Sequence, residues 1–278
     1  MPQTSFDVMN HLHHNRAAWN SGSIAGGVWS TPVDSSAVAR AKTGEWEIIL
    51  TPKLPVPREW FGDVRGKNIL CLASGGGQQV PIFAAAGANV VSFDLSDEQL
   101  AKDRMVAERE GLDVRCMQGD MADLSCFANE SFDLVFHPAS NVFVPDLAPV
   151  WQACYRVLRP GGLLLAGFMN PAVFMFDHEE AERTHELKVK YSLPYSDVSS
   201  LSPSQLQRKL EEHEPIEFSH SLDTQIGGQI KAGFHITGLY EDHWFDETWL
   251  FSNFCPVCIA TRALRPKAPP QMMPNPST

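Results

Sequence analysis

The chain has 278 residues, 44% of them hydrophobic, with 20 prolines and 19 glycines, which allows one large α/β domain or two small ones around a sizeable core. A formal charge of -11, with no run of basic residues, argues against a nucleic-acid partner, because neutralising phosphates takes clustered Lys and Arg. The first twenty residues lack a charged segment followed by an apolar one, and no apolar stretch reaches the roughly 18–20 residues that span a bilayer, so no membrane association and a cytoplasmic location are expected.

Residues 1–20 carry Phe6, Met9, Leu12 and Trp19 on or near one face of an expected amphipathic helix. Residues 21–60 are rich in Gly, Ser and Pro and hold Trp29, Trp46 and Trp60; "TPKLPVPREW" can be neither a long helix nor a central strand, since proline removes donors and fixes φ. A regular alternation follows. "NILCLA" has strand length, and "QQVPIFAAAG" predicts a helix with Pro81 in its first turn and Gly87 as its stop. "NVVSFDL" is a second strand. "SDEQLAKDRMVAEREG" predicts a helix with Ser96 and Gln99 at capping-box spacing and Gly111 at its end. A third strand lies in "LDVRCMQGDM" and a fourth at 132–136; a helix in "DLAPVWQACYRVLRPGG" is closed by Pro160 and Gly161, and "LLLAGFM" is a fifth strand. Strands alternating with helices of this length imply parallel pairing through right-handed crossovers. Near-continuous apolar strands imply a sheet covered on both faces.

After Met169 the pattern breaks. Residues 170–220 form a polar insertion with helix-like stretches "DHEEAERTHELKVK" and "SPSQLQRKLEEHE"; "SLDTQIGGQIKAGF" predicts a helix ending at Gly233, and "HITGLYED" and "VCIATRAL" predict two last strands, near enough in sequence to pair antiparallel. The expected organisation is a single domain over 1–264, comprising an N-terminal lid or anchor (1–60), a core (66–168), the substrate-side insertion (170–220) and a last helix and strands (221–264), followed by a Pro-rich tail (265–278) expected to be disordered. Cys71, Cys116 and Cys154 fall in apolar segments and are expected to pack as small hydrophobes; the lone "CPVC" at 255–258 lacks a second ligand pair, so no metal is expected.

The informative stretch is "ILCLASGGGQQ", residues 69–79, where a buried strand runs into Gly75, Gly76 and Gly77. A strand-to-helix turn without side chains lets backbone approach a ligand at the carboxyl edge of the sheet. A dinucleotide or S-adenosylmethionine fits that geometry, and Asp94, about twenty residues on at the end of the second strand, has the spacing of a ribose ligand for either.

Further along, "VVSFDLSDEQLAKDR", "QGDMADL", "FDLVFHPAS" and "YRVLRPGGLLLAG", together with the glycine turn, cover residues 66–168. Here the chain resembles the class I S-adenosylmethionine-dependent methyltransferases, especially the small-molecule methyltransferase type 11 group. The resemblance implies a doubly wound, mostly parallel seven-stranded Rossmann-like sheet with an antiparallel last strand. It implies S-adenosyl-L-methionine as cofactor, S-adenosyl-L-homocysteine as product and a small-molecule acceptor, in a monomer or homodimer. It puts Ala73, Ser74, Gly75, Gly76, Gly77 and Gln78 at the methionine end, Asp94 on the ribose hydroxyls, and Leu95 and Gln99 near the adenine. Gly119, Asp120 and Met121 would address the adenine edge, and His137 would lie at the donor or acceptor site. The glycine motif departs from the family at Cys71, where an acidic residue is usual and often positions the methionine ammonium group, and at Ala73, where glycine is usual.

Methyl transfer is an in-line displacement on an already activated donor, so alignment and exclusion of water come first. A base is needed only for an acceptor that arrives protonated. His137 is the first candidate base, with packing against the cofactor as its alternative role; Trp19, Trp29, Asn141 and His178 are candidate acceptor contacts, the tryptophans alternatively serving as anchors. A catalytically silent S-adenosylmethionine-binding protein and an NAD-dependent oxidoreductase remain open as alternatives.

Overall fold

The computed structural model describes residues 8–245 and 249–267. Seven strands form one sheet: β1 (Asn68–Leu72), β2 (Asn89–Asp94), β3 (Val114–Gln118), β4 (Phe132–His137), β5 (Leu158–Met169), β6 (His235–Asp242) and β7 (Cys258–Leu264). Their order is β3-β2-β1-β4-β5-β7-β6. β3 to β5 pair in parallel, and β7 lies antiparallel between β5 and β6. Nine helices accompany the strands among the described residues: α1 (Val8–Ile24), α2 (Ser35–Lys42), α3 (Gln79–Ala85), α4 (Asp97–Glu110), α5 (Ala148–Val157), α6 (His178–Thr184), α7 (Asp197–Ser200), α8 (Pro203–Glu211) and α9 (Gly228–Lys231).

β1 is central, and Ile69 to Leu72 are wholly buried because both faces of the sheet are covered. On one face Trp46, Phe61, Phe83 and Phe136 form a chain of edge-to-face rings; on the other Phe93, Phe127 and Phe132 do the same beside the buried Trp151. These packed rings leave the carboxyl ends of β1, β2 and β4 at one edge, where such sheets bind ligands.

Several expected boundaries move. Phe6 and the tail beyond Lys267 lie outside the described residues. α5 stops at Val157 instead of at Pro160: Leu158 already pairs with Phe132, and the register then shifts, so Pro160 and Gly161 form an irregularity inside β5. In "DHEEAERTHELKVK" only 178–184 is helical; His185 takes a left-handed conformation that ends it, and Val189 then bridges Phe176. The stretch before Gly233 is a π-helical turn, Asp223–Gly227, running into the short α9. A side chain at Gly228 would come within 2.7 Å of the Trp151 indole, which explains a glycine in mid-helix.

Candidate active site

A cavity of about 700 Å³ opens at the carboxyl edge of β1, β2 and β4. Its near end is walled by Ala73, Ser74, Gly75, Asp94, Leu95 and Gln99, with Gly119, Asp120 and Met121 beside them. This end is pre-wired by α4. The Gly75 N–H donates to Asp94 Oδ2 at 3.0 Å, the Gly76 N–H to the Gln99 carbonyl at 3.0 Å, and the Gly77 N–H to Asp103 Oδ1 at 2.8 Å. All three glycine amides of the turn are therefore occupied by the protein itself.

What approaches the glycines is also largely protein. A Cβ at Gly76 would lie 2.4 Å from the Trp29 carbonyl oxygen, and one at Gly77 2.9 Å from Pro32. Both have positive φ, +117° and +75°, which favours glycine on conformation alone. The N-terminal segment is thus strapped across the turn, and the Gln78 amide ties it down by donating to the carbonyls of Val28 and Thr31 at 2.8 and 3.1 Å. Gly76 and Gly77 do not line the cavity, and the Gln78 amide, although at its edge, is committed to the strap. This corrects the expectation that the whole glycine run is bared for a ligand: bare backbone reaches the cavity from Ala73 to Gly75.

Asp94 holds Ser96, the N-cap residue of α4. Its Oδ1 accepts from the Ser96 N–H at 2.9 Å, and burial raises its pKa while the bonds from Ser96 and Gly75 oppose the rise. A carboxylate has about four acceptor positions, so with the bonds from Gly75 and Ser96 and the Leu95 N–H beside it, Asp94 keeps acceptor capacity for a further donor. The expected capping box forms only halfway. Ser96 Oγ accepts from the Gln99 N–H at 3.1 Å, but the Ser96 N–H is already taken by Asp94. The Gln99 side chain is released from capping, and Gln99 Oε1 and Ser74 Oγ stand buried without a hydrogen-bond partner. Two orphaned polar atoms beside a cavity mark a place where a polar ligand belongs. Asp120 Oδ1 accepts from the Ala122 N–H at 2.9 Å, which fixes the turn that brings Asp120 and Met121 to the cavity wall; Gly119 is small because the Phe93 ring fills its side-chain space.

His137 and Asn141 depart from expectation. Both are wholly buried and neither lines the cavity. His137 Nδ1 lies 3.2 Å from the Leu72 carbonyl and Nε2 2.7 Å from Asn141 Oδ1, while Asn141 Nδ2 donates to Gln225 at 2.6 Å. Burial lowers the His137 pKa. A neutral imidazole has one N–H, which Nε2 donates to Asn141 Oδ1, and Nδ1 is buried beside the Ser140 hydroxyl at 3.4 Å, so neither nitrogen reaches an acceptor in the cavity; through Asn141, His137 ties β4 to the Asp223–Gly227 turn. His178 does line the cavity, yet Nδ1 accepts from the Trp249 indole at 3.0 Å and Nε2 bonds the Val173 carbonyl at 2.8 Å, so it serves as wall. Trp19 and Trp29 line the cavity, in edge contact with Phe143 and with Trp244 and Phe245 respectively, whereas Trp46 packs into the core beneath Arg58.

The far end was not foreseen. Tyr195 donates to Asp197 Oδ1 at 2.6 Å; Lys209 Nζ lies 2.9 Å from Asp197 Oδ2 and 3.8 Å from Glu217 Oε2. All four residues line the cavity. Burial pushes the Glu217 carboxyl up to about 7, against the pull of Lys209. The segment bearing Glu217 is anchored next to β4, because the Phe218 N–H donates to the Val142 carbonyl at 2.7 Å and Asn15 of α1 bonds both backbone groups of Ile216. Contacts about 200 residues apart leave no local sequence signal. At the CPVC stretch, the Cys258 thiol is buried against Met169 and burial raises its pKa.

A seven-stranded sheet of this order, with a ligand cavity over the glycine turn and an acidic residue ending the second strand, defines a Rossmann-like methyltransferase. Residues 70–166 match the family described as "Methyltransferase domain". The chain is 49% identical over 229 residues to a Bacillus subtilis (strain 168) protein named "Uncharacterized methyltransferase YbaJ", covering 82% of this chain and 89% of that one. In structure it is similar to an S-adenosylmethionine-dependent methyltransferase from Mesorhizobium loti (TM-score 0.57, 20% identity, 75% of this chain and 95% of that one). It is also similar to a putative one from Listeria monocytogenes (TM-score 0.58, 19% identity, 76% and 96%). The chain belongs to the methyltransferase family.

Proposed function

We propose that the near end of the cavity holds S-adenosylmethionine and the far end a small-molecule acceptor. The observation that carries the reading is the pairing of Asp94, which keeps acceptor capacity, with the orphaned Ser74 Oγ and Gln99 Oε1 on one wall. Two vicinal ribose hydroxyls satisfy the first, and donors on the bound nucleoside and amino-acid portions satisfy the others. Asp120 and the Met121 backbone then face the adenine edge across Leu95. When bound, the cofactor supplies a methyl group already activated on a sulfonium; the chain's residues orient the two reactants and exclude water.

The glycine amides also support this cofactor over a dinucleotide. A pyrophosphate held at such a turn needs free N–H donors. Here Asp94, Gln99 and Asp103 have taken those of Gly75, Gly76 and Gly77. On the acceptor side, Trp19, Phe143, Phe174 and Trp244 give apolar walls for a small organic molecule. Glu217 is the group suited to take a proton from an acceptor that arrives protonated, since burial holds its carboxyl near neutrality at about 7. Release of S-adenosylhomocysteine over a panel of small hydroxyl, amine and carbon-acid acceptors tests the reading. Turnover of at least one is expected, and binding of S-adenosylmethionine without turnover of any would favour the silent binding protein.

A further inference from the structure

We infer that Asp103 is the positioning residue that holds the glycine turn in its cofactor-binding shape, and that it does so as an ionised carboxylate. The inference rests on the cofactor assignment proposed above.

Asp103 lies inside α4, wholly buried, beneath the turn and outside the cavity. A carboxylate in that place is costly unless it is fully hydrogen-bonded. Both of its oxygens are used. Oδ1 accepts from the Gly77 N–H at 2.8 Å, and Oδ2 accepts from the Ser92 hydroxyl at 2.6 Å. The groups that face it come from every element packed there: Arg104 from α4, Cys71 from β1, Ser92 and Asp94 from β2, and Cys116 from β3. Burial pushes the Asp103 carboxyl up to about 7; the Ser92 and Gly77 bonds and Arg104 pull it down, and the Asp94 charge adds to the rise. Burial raises the pKa of the Cys71 thiol, and the Asp103 charge adds to that rise. Cys71 is the position where the resembled family carries its acidic residue, so this chain brings a carboxylate under the same turn from the neighbouring helix.

Ionisation state and turn geometry are coupled by these two bonds. The ionised carboxylate accepts from both donors, and the Gly77 bond is charge-assisted. Protonation removes the charge assistance and forces the Ser92 hydroxyl to turn its hydrogen away, which loosens Gly77 and with it the stretch from Ala73 to Gly75 that walls the cavity. A ligand that orders the turn therefore favours the ionised form and expels the proton.

The test is titration calorimetry of the full chain with S-adenosylhomocysteine in phosphate and in Tris, buffers of different ionisation enthalpy. At pH 7 the wild type should release on the order of half a proton per ligand, and its dissociation constant should rise several-fold from pH 8.5 to 6. Asp103→Asn keeps an acceptor for Gly77 but cannot titrate; it should bind with markedly less proton release and a shallower pH profile than the wild type, what remains belonging to Asp94. Ser92→Ala, a milder change, removes one donor to the carboxylate and should move the wild-type midpoint to higher pH. Equal heats in both buffers for the wild type, unchanged release in Asp103→Asn, or an unmoved midpoint in Ser92→Ala would overturn the inference. A wild type that binds no S-adenosylhomocysteine at any pH would instead overturn the cofactor assignment, and the inference with it.

Discussion

The near end of the cavity is built from β1, the turn after it, and β2 running into α4, segments that follow one another within about fifty residues. The far end is assembled from α1, the loop after β4 and the 170–220 insertion, held by contacts such as Asn15 to Ile216 that span 201 residues. The near end is polar and rigidly bonded, with its glycine amides and the Asp94 carboxylate fixed before any ligand arrives. The far end is aromatic, with Tyr195 and Asp197 buried and Lys209 and Glu217 half-buried beside them on one side. The difference fits a division of labour: an invariant cofactor is met by preorganised backbone, and a particular acceptor by side chains on added segments.

Substitutions at the near end should have the largest effects. Gly76→Val puts its Cβ 2.4 Å from the Trp29 carbonyl, at a φ of +117°. It should abolish S-adenosylhomocysteine binding and destabilise the fold by about 3 kcal/mol or more, read by calorimetry and urea unfolding. A variant of wild-type stability would show that the strap does not lie on the turn. Asp94→Ala should weaken S-adenosylhomocysteine by about 1.5–3 kcal/mol, about ten- to a hundredfold. The sequence alone suggests little loss of folding there, but Asp94 also accepts from Gly75 and Ser96, so about 1–3 kcal/mol of stability should go as well.

The aromatic side chain of the strap should respond differently from the backbone beneath it. Trp29→Ala removes edge contacts to Trp244 and Phe245 and should cost about 1–2 kcal/mol of stability while leaving S-adenosylhomocysteine affinity nearly unchanged, because Trp29 approaches Gly76 through its backbone carbonyl, which the substitution keeps. A large loss of cofactor affinity would erase the distinction between that side chain and the backbone. The most diffuse effect is on the pH dependence of stability. Asp103 and Glu217 are both raised to about 7 in the fold, from roughly 4 in an unfolded chain. A raised carboxyl binds its proton more tightly when folded, so its contribution is fully present below about 4 and is lost as pH rises through about 7. Urea midpoints should therefore fall between pH 5 and 8, and Asp103→Asn and Glu217→Gln should each flatten that slope. An unchanged slope in both would remove these two groups from the account.

The core was legible in the sequence because its signals are local. Apolar strand runs, the Ser96 cap, Gly111 and the position of Asp94 depend on neighbours a few residues away. The roles of Gly76 and Gly77 were not legible, since the same bare backbone serves a ligand or a strap and only the position of Trp29 and Pro32 decides. His137, expected just past a strand ending at 136, is the last residue of β4, and whether its nitrogens are free depends on Asn141 and Ser140, which the spacing does not show. Gln99 was expected near the adenine or in a capping box; Asp94 takes the Ser96 N–H and leaves the Gln99 side chain to the cavity.

The most direct measurement is calorimetric titration of the full chain with S-adenosylhomocysteine and, separately, NADH. The account predicts saturable binding of S-adenosylhomocysteine that weakens about ten- to a hundredfold in Asp94→Ala, and no binding of NADH to a turn whose amides are already taken. Binding of NADH without S-adenosylhomocysteine, or an affinity that ignores Asp94, would contradict it.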